Sequence, residues 1–197
     1  MIVKAHQPCD DCGSSDALSL NKNGSTYCHS CKLYTKGDAI APPEKPVSAS
    51  QGWDAISTAL ATGKAVSVPE RGLSAPTLSK FGVVLEGGRV LYPYTHANND
   101  PEVIAAKIRY PDKRFQTVGE WAETGLFGQS AFPNGGKYIT IVEGEYDALA
   151  AYQLMGSKYP VVSIKNGASG ALKDCKKAYE WIDSFEQVVI CFDGDRE

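Results

Sequence analysis

The sequence predicts two domains of different class, a small metal-held β ribbon followed by an α/β domain, on three observations. Four cysteines stand as two Cys-x2-Cys pairs, Cys9/Cys12 and Cys28/Cys31. A proline-rich stretch, Pro42-Pro43-Glu44-Lys45-Pro46, follows them. From residue 138 onward, apolar strands alternate with helical segments, the pattern of a parallel sheet with crossover helices. A length of 197 residues suits one to two domains, and 43% hydrophobic with 22% charged residues is ordinary for a globular chain. That composition excludes a disordered, collagen-like or coiled-coil protein. No apolar run approaches the ~18 residues of a membrane span, and Met1 to Pro8 holds no apolar signal core. The expected location is the cytoplasm, with no membrane partner. A net charge of −3 speaks mildly against a nucleic-acid binder.

The ribbon rests on cysteine spacing. Fifteen residues separate the two pairs, within the range of a four-cysteine zinc site. Each pair forms a tight knuckle aiming two thiolates at one point, and two knuckles complete a tetrahedral sulfur shell. Asn23-Gly24 reads as the tip of a hairpin between Leu18-Ser19-Leu20 and Ser25-Thr26-Tyr27. Two disulfides, a redox pair or unrelated buried cysteines are the alternatives, and a reducing compartment disfavours disulfides. With four thiolates filling the shell, His29 is expected to face solvent. Cys175 and Cys191 lie in apolar stretches and read as small core residues. A ribbon this small draws its folding energy from zinc.

Residues 1–38 form the expected ribbon domain, 39–52 the linker, and 53–197 the second domain. Within the second, residues 54–62 and 74–80 read as helices, the latter capped by Ser74 with Pro76 in its first turn. Residues 89–94 and 102–109 read as strands. The α/β part then runs strand 138–142, helix 146–155, strand 161–164, helix 172–183 and strand 187–192.

Acidic side chains fall at the carboxyl ends of these strands, where chemistry sits in such sheets. Glu143 ends the first, and Asp193 and Asp195 end the third, sharing one face across Gly194. Asp147 lies one helical turn past Glu143. Hard oxygen ligands of this kind suit Mg²⁺ or Mn²⁺; solvated loop acids are the plainer alternative. Lys107, Arg109, Lys113 and Arg114 make the densest basic stretch, with Tyr110 inside it and Phe115 beside it. Basic residues interleaved with aromatics suit single-stranded nucleic acid, whereas a solvated strand edge is the bland reading. Lys137 is a weaker candidate. Residues 143–197 hold 10 acidic and 6 basic side chains, while Lys107 to Arg114 sets four bases against Asp112. The overall −3 is therefore a poor guide to partners.

Glu143-Gly144-Glu145-Tyr146-Asp147 followed by Asp193-Gly194-Asp195 resembles the Toprim domain shared by bacterial-type primases, topoisomerases and some nucleases. A four-cysteine ribbon linked to such a domain resembles the primase half of the primase–helicases of short-tailed bacteriophages. Arg71-Gly72-Leu73-Ser74, Leu126-Phe127-Gly128, Asn134-Gly135-Gly136-Lys137 and Gly167-Ala168-Ser169 add to the likeness, which covers the whole chain. The implied fold is a small β zinc ribbon plus an α/β Toprim-type domain with a mixed α+β N-terminal subdomain. Residues 53–137 would form the N-terminal subdomain of the RNA polymerase domain and 138–197 the Toprim core.

The resemblance implies synthesis of short RNA primers from ribonucleoside triphosphates on a single-stranded DNA template. It implies a replicative helicase, fused or separate, and a DNA polymerase as partners in an infected host's cytoplasm. Asp193 and Asp195 would hold Mg²⁺ or Mn²⁺ on the incoming nucleotide. Glu143 would bind metal or act as general base, and Asp147 would support that shell. Lys107, Arg109, Lys113, Arg114 and Lys137 would contact triphosphate and template. In this family the ribbon reads the initiation sequence. Ser25 stands where the best-known pattern has a histidine and Asn23 where it has an acid, so the trinucleotide preference does not carry over. The family's Toprim core continues past its Asp-x-Asp strand, so the core is expected to be truncated at its C-terminus and the chain a fragment. A non-catalytic single-stranded-DNA-binding fragment and a Toprim nuclease are the competing functions.

Overall fold

The computed structural model describes residues 2–22, 24–36 and 49–194. The chain divides into two compact units, Met1–Pro46 and Val47–Glu197.

The first unit is a four-stranded antiparallel sheet in the order β1-β2-β3-β4. Its strands are β1 (Ile2–Gln7), β2 (Leu18–Asn21), β3 (Thr26–Cys28) and β4 (Tyr34–Thr35). The hairpin falls where the Asn-Gly signal put it: Leu18 pairs with Cys28 and Leu20 with Thr26, and Asn21 N–H closes the turn on Ser25 O at 2.8 Å. Asn23 itself lies outside the described residues. Strand β1 had no periodic signal and was missed.

In the second unit, helix α1 (Ala49–Thr62) and the short α2 (Ala75–Lys80) precede a four-stranded antiparallel sheet, β5-β6-β7-β8. Its strands are β5 (Val84–Glu86), β6 (Arg89–Thr95), β7 (Val103–Arg109) and β8 (Phe115–Gly119). Alternation sets the two faces. Leu91, Ala106, Ile108 and Val118 form a cluster with Ile56 of α1 and Val84. On the other face Val90, Tyr92, Tyr94 and Ala105 join the main core. Gly119, at the end of β8, has φ +82°, and a Cβ there would stand 2.3 Å from Ile104 O.

That main core is shared with a three-stranded parallel sheet in the order β10-β9-β11. Here β9 is Gly136–Val142, α3 Glu145–Leu154, β10 Val161–Ser163, α4 Ala171–Lys177, α5 Tyr179–Ile182 and β11 Phe185–Cys191. The single helix expected over 172–183 is broken at Ala178, whose φ of −96° and ψ of 16° leave the helical region. Phe127 and Ser163 exchange backbone hydrogen bonds of 3.0 and 3.2 Å, tying the segment after β8 to β10.

Strand β9, which Glu143 follows, is central, and β11, which precedes Asp193, lies beside it. Two expectations are corrected. Cys191 is exposed rather than in the core, because it ends an edge strand whose Val188, Val189 and Ile190 are also exposed; Cys175 is half-buried against the core. Ser74 stands at the N-cap of α2 but makes no side-chain bond to the helix backbone. Its hydroxyl meets Thr77 Oγ1 at 3.0 Å, and its N–H donates to Gln153 Oε1 at 2.9 Å. Among the described residues no helix is long and apolar enough to cross a membrane.

Candidate metal centre and active site

The two cysteine knuckles of the first unit are built alike. Cys9 N–H donates to Ser14 O at 2.8 Å and Gly13 N–H to Cys9 O at 2.9 Å. Cys28 N–H donates to Leu33 O, and Lys32 N–H to Cys28 O, both at 2.9 Å. The fifth residue of each hook is left-handed, Gly13 at φ +67° and Lys32 at φ +63°. The four sulfurs lie within 4.8 Å of one another, with Cys12 and Cys28 at 3.7 Å. A tetrahedron with Zn–S distances of ~2.3 Å has sulfur–sulfur edges of about 3.8 Å, so the donor set fits zinc. Backbone N–H groups, that of Cys31 foremost, hold the Cys28 thiol down to about 6 against the burial that raises it. His29 is exposed, edge-on to Tyr27 and 3.1 Å from Ser19 Oγ.

In the second unit the acids gather at one end of the parallel sheet. Val142 and Cys191 pair across β9 and β11, so Glu143 and Asp193 follow neighbouring strands about 4.8 Å apart. Asp147 occupies the first turn of α3. Burial raises its carboxyl above the usual range; the charges of Asp193, Glu143 and Glu145 add to this, while the Gly144 backbone N–H works the other way. These carboxylates therefore share one field, and crowding of this kind suits a hard divalent cation. Asp195 lies outside the described residues.

Glu145 connects the acids to the basic strand. It is 6% exposed, and its Oε1 accepts the Lys107 ammonium at 2.7 Å and the Tyr94 hydroxyl at 2.5 Å. Burial foremost pushes the Tyr94 hydroxyl pKa well up, and the Glu145 charge adds to that, so the phenol stays a donor. Lys107 also donates to Lys165 O at 3.1 Å. Alternation on β7 puts Arg109 on the same face. Its guanidinium carbon sits 5.2 Å from the Phe115 ring centre and 5.3 Å from that of Tyr146, while Arg71 covers Tyr146 at 4.1 Å. With Lys107 Nζ 5.0 Å from the Phe115 ring centre, three cations are held over two rings.

The remaining basic candidates are not brought to this place. Lys113, at φ +66°, and Arg114 lie at the turn between β7 and β8. Arg114 pairs with Asp112 at 2.5 Å and holds that carboxyl below its usual range, with both side chains exposed. Lys137 starts the strand that Glu143 follows and lies over Tyr138 at 5.4 Å. Sequence reading assigned no role to Arg71, Glu145, Tyr146 or Lys165. Arg71, Glu145 and Tyr146 lie within motifs that carry the family likeness, whereas Lys165 lies in none.

No family model matches the chain. It is 34% identical over 208 residues to the DNA helicase/primase of Enterobacteria phage T3, an alignment taking in 98% of this chain and 36% of that protein. The chain thus spans about a third of that curated relative. Among solved structures it is similar to the primase fragment of the bacteriophage T7 primase–helicase protein. The identity is 32% and the TM-score 0.62, over 100% of this chain and 81% of the other. A second match is a structure of T7 lagging-strand DNA polymerase interacting with primase domains of two gp4 subunits bound to an RNA/DNA hybrid and dTTP. The identity there is 33% and the TM-score 0.60, over 100% and 82% of the two chains.

Proposed function

The chain belongs to the bacteriophage-type DNA primase family, and from that membership we propose that it makes short RNA primers on single-stranded DNA. Ribonucleoside triphosphates are the substrates. The observation that carries the reading is the meeting of Glu143, Asp147 and Asp193 at one sheet end, joined through Glu145 to Lys107. Mg²⁺ or Mn²⁺ held by Glu143, Asp193 and Asp195 would neutralise triphosphate charge and ease ionisation of the attacking 3′-hydroxyl. Asp147, its carboxyl raised, supports that shell. Lys107 and Arg109, joined here by Arg71, meet phosphate oxygens through charge-assisted hydrogen bonds. Lys113 and Arg114, at the hairpin turn, contact template backbone. Lys137 is left out, since a strand's length separates it from the acids.

Residues 1–38 are assigned to reading the template, and 53–197 to synthesis. A helicase and a DNA polymerase, as in the names of the relatives, are the proposed partners. The test supplies the chain with Mg²⁺ or Mn²⁺, four ribonucleoside triphosphates and random-sequence single-stranded DNA. Labelled oligoribonucleotides are expected, and Asp193→Ala should remove them. Products that survive Asp193→Ala sink the metal assignment. Template cleavage without synthesis would make the protein a nuclease.

A further inference from the structure

A buried polar cluster stands behind Lys107. Lys165 is 7% exposed, and its ammonium donates to Thr124 O and Thr124 Oγ1, both at 2.7 Å, and to Trp121 O at 3.4 Å. It lies 5.3 Å from the Trp121 ring centre. Among the described residues no carboxylate accepts from this ammonium. Asp174, 2% exposed, grips the backbone of the same segment. Its Oδ2 accepts the N–H groups of Lys165 at 2.9 Å and Asn166 at 3.3 Å, and its Oδ1 accepts Asn166 Nδ2 at 3.0 Å. The segment after β10 is thus tied at two points, to α4 and to the turn after β8. Between the ties, Lys165 C=O faces the site and accepts Lys107 Nζ.

A buried ammonium with only neutral acceptors is a costly way to fill space, which an apolar side chain fills at less cost. What it secures is place. We propose that Lys165 and Asp174 are positioning residues that hold the Lys165 carbonyl against Lys107, leaving that ammonium one N–H for a nucleotide phosphate. An ammonium has three donors; Glu145 and Lys165 O take two. The proposal rests on the reading of Lys107 as a nucleotide-facing residue.

The test combines a double-mutant cycle with a direct look at Lys107, on the whole chain. Affinity for Mg²⁺-ATP is measured by calorimetry, and order at Lys107 Cε by ¹³C relaxation. Lys165→Met and Asp174→Asn should each loosen Lys107 Cε and weaken ATP binding about tenfold, the loss expected for a hydrogen bond to a charged group. In a Lys107→Ala background neither should weaken it further, because coupled residues are not additive. Full additivity, or an unchanged Cε order in folded variants, overturns the proposal. If Asp174→Asn unfolds the chain, Lys165→Met, of similar shape, decides alone. If Lys107→Ala leaves ATP binding intact while both variants loosen Cε, positioning stands and the nucleotide reading of Lys107 falls.

Discussion

Burial holds the Lys165 ammonium down at about 8 from an ordinary 10.5. Its sign on stability follows. Between about pH 8 and pH 10.5 the unfolded chain keeps a proton that the folded chain has lost, so this group raises stability as pH rises. Lys165→Met should remove that rise. Urea midpoints of the parent and the variant, taken from pH 7.5 to pH 10.5 and subtracted, isolate it from other titrating groups; parallel curves would refute it. Residue identity was legible at this scale and residue pairing was not. Lys107 and Arg109 stood out as cations among aromatics. The partner of Lys107, Glu145, lies 38 residues on, and the Lys165 carbonyl 58. Such pairs depend on how two sheets meet, which no local pattern encodes. Lys165 itself lay between the expected strand 161–164 and the expected helix 172–183.

Elements were legible where their signal was local. Cysteine spacing and an Asn-Gly tip located the ribbon's hairpin, because a knuckle and a two-residue turn are each complete within a few residues. The order β10-β9-β11 was not legible, since strand order follows from crossovers and not from alternation. The twin hooks carry their own test. Lys32 holds the left-handed conformation that Gly13 adopts freely, a strain of about 1 kcal/mol for a side-chain-bearing residue. Lys32→Gly should therefore stabilise the zinc-bound ribbon by up to that amount and Gly13→Ala should weaken it similarly, both read from denaturant midpoints. In the second unit, Gly119→Ala should cost more, about 2 kcal/mol or above, because strained backbone and a clash with Ile104 O act together. Edge strand β11 exposes Ile190 at 67%. Ile190→Lys should lower self-association in light scattering, since a charge blunts an apolar edge.

For the whole molecule, the two units draw on different sources of stability. Both hydrophobic clusters of the second unit consist of residues from Trp53 onward, whereas the first unit centres on four sulfurs. Removing zinc with a chelator should collapse amide resonances of residues 2–36 to random-coil positions and leave those of 49–194 in place. Loss of both sets together would show that the second unit needs the first. The proline-rich stretch marks a shift in composition along the chain, and the division into two units falls at Pro46.

Strand β9 is hydrogen-bonded on both sides and β11 is bonded to β9. Opening the sheet at that edge frees Asp193 and leaves Glu143 anchored, so the acids are a fixed member and a removable one. Hydrogen exchange should find β9 amides opening only with the whole unit, and β11 amides sooner. The acidic end of the sheet can then be taken apart and rebuilt by the motion of one strand, at a cost well below that of unfolding.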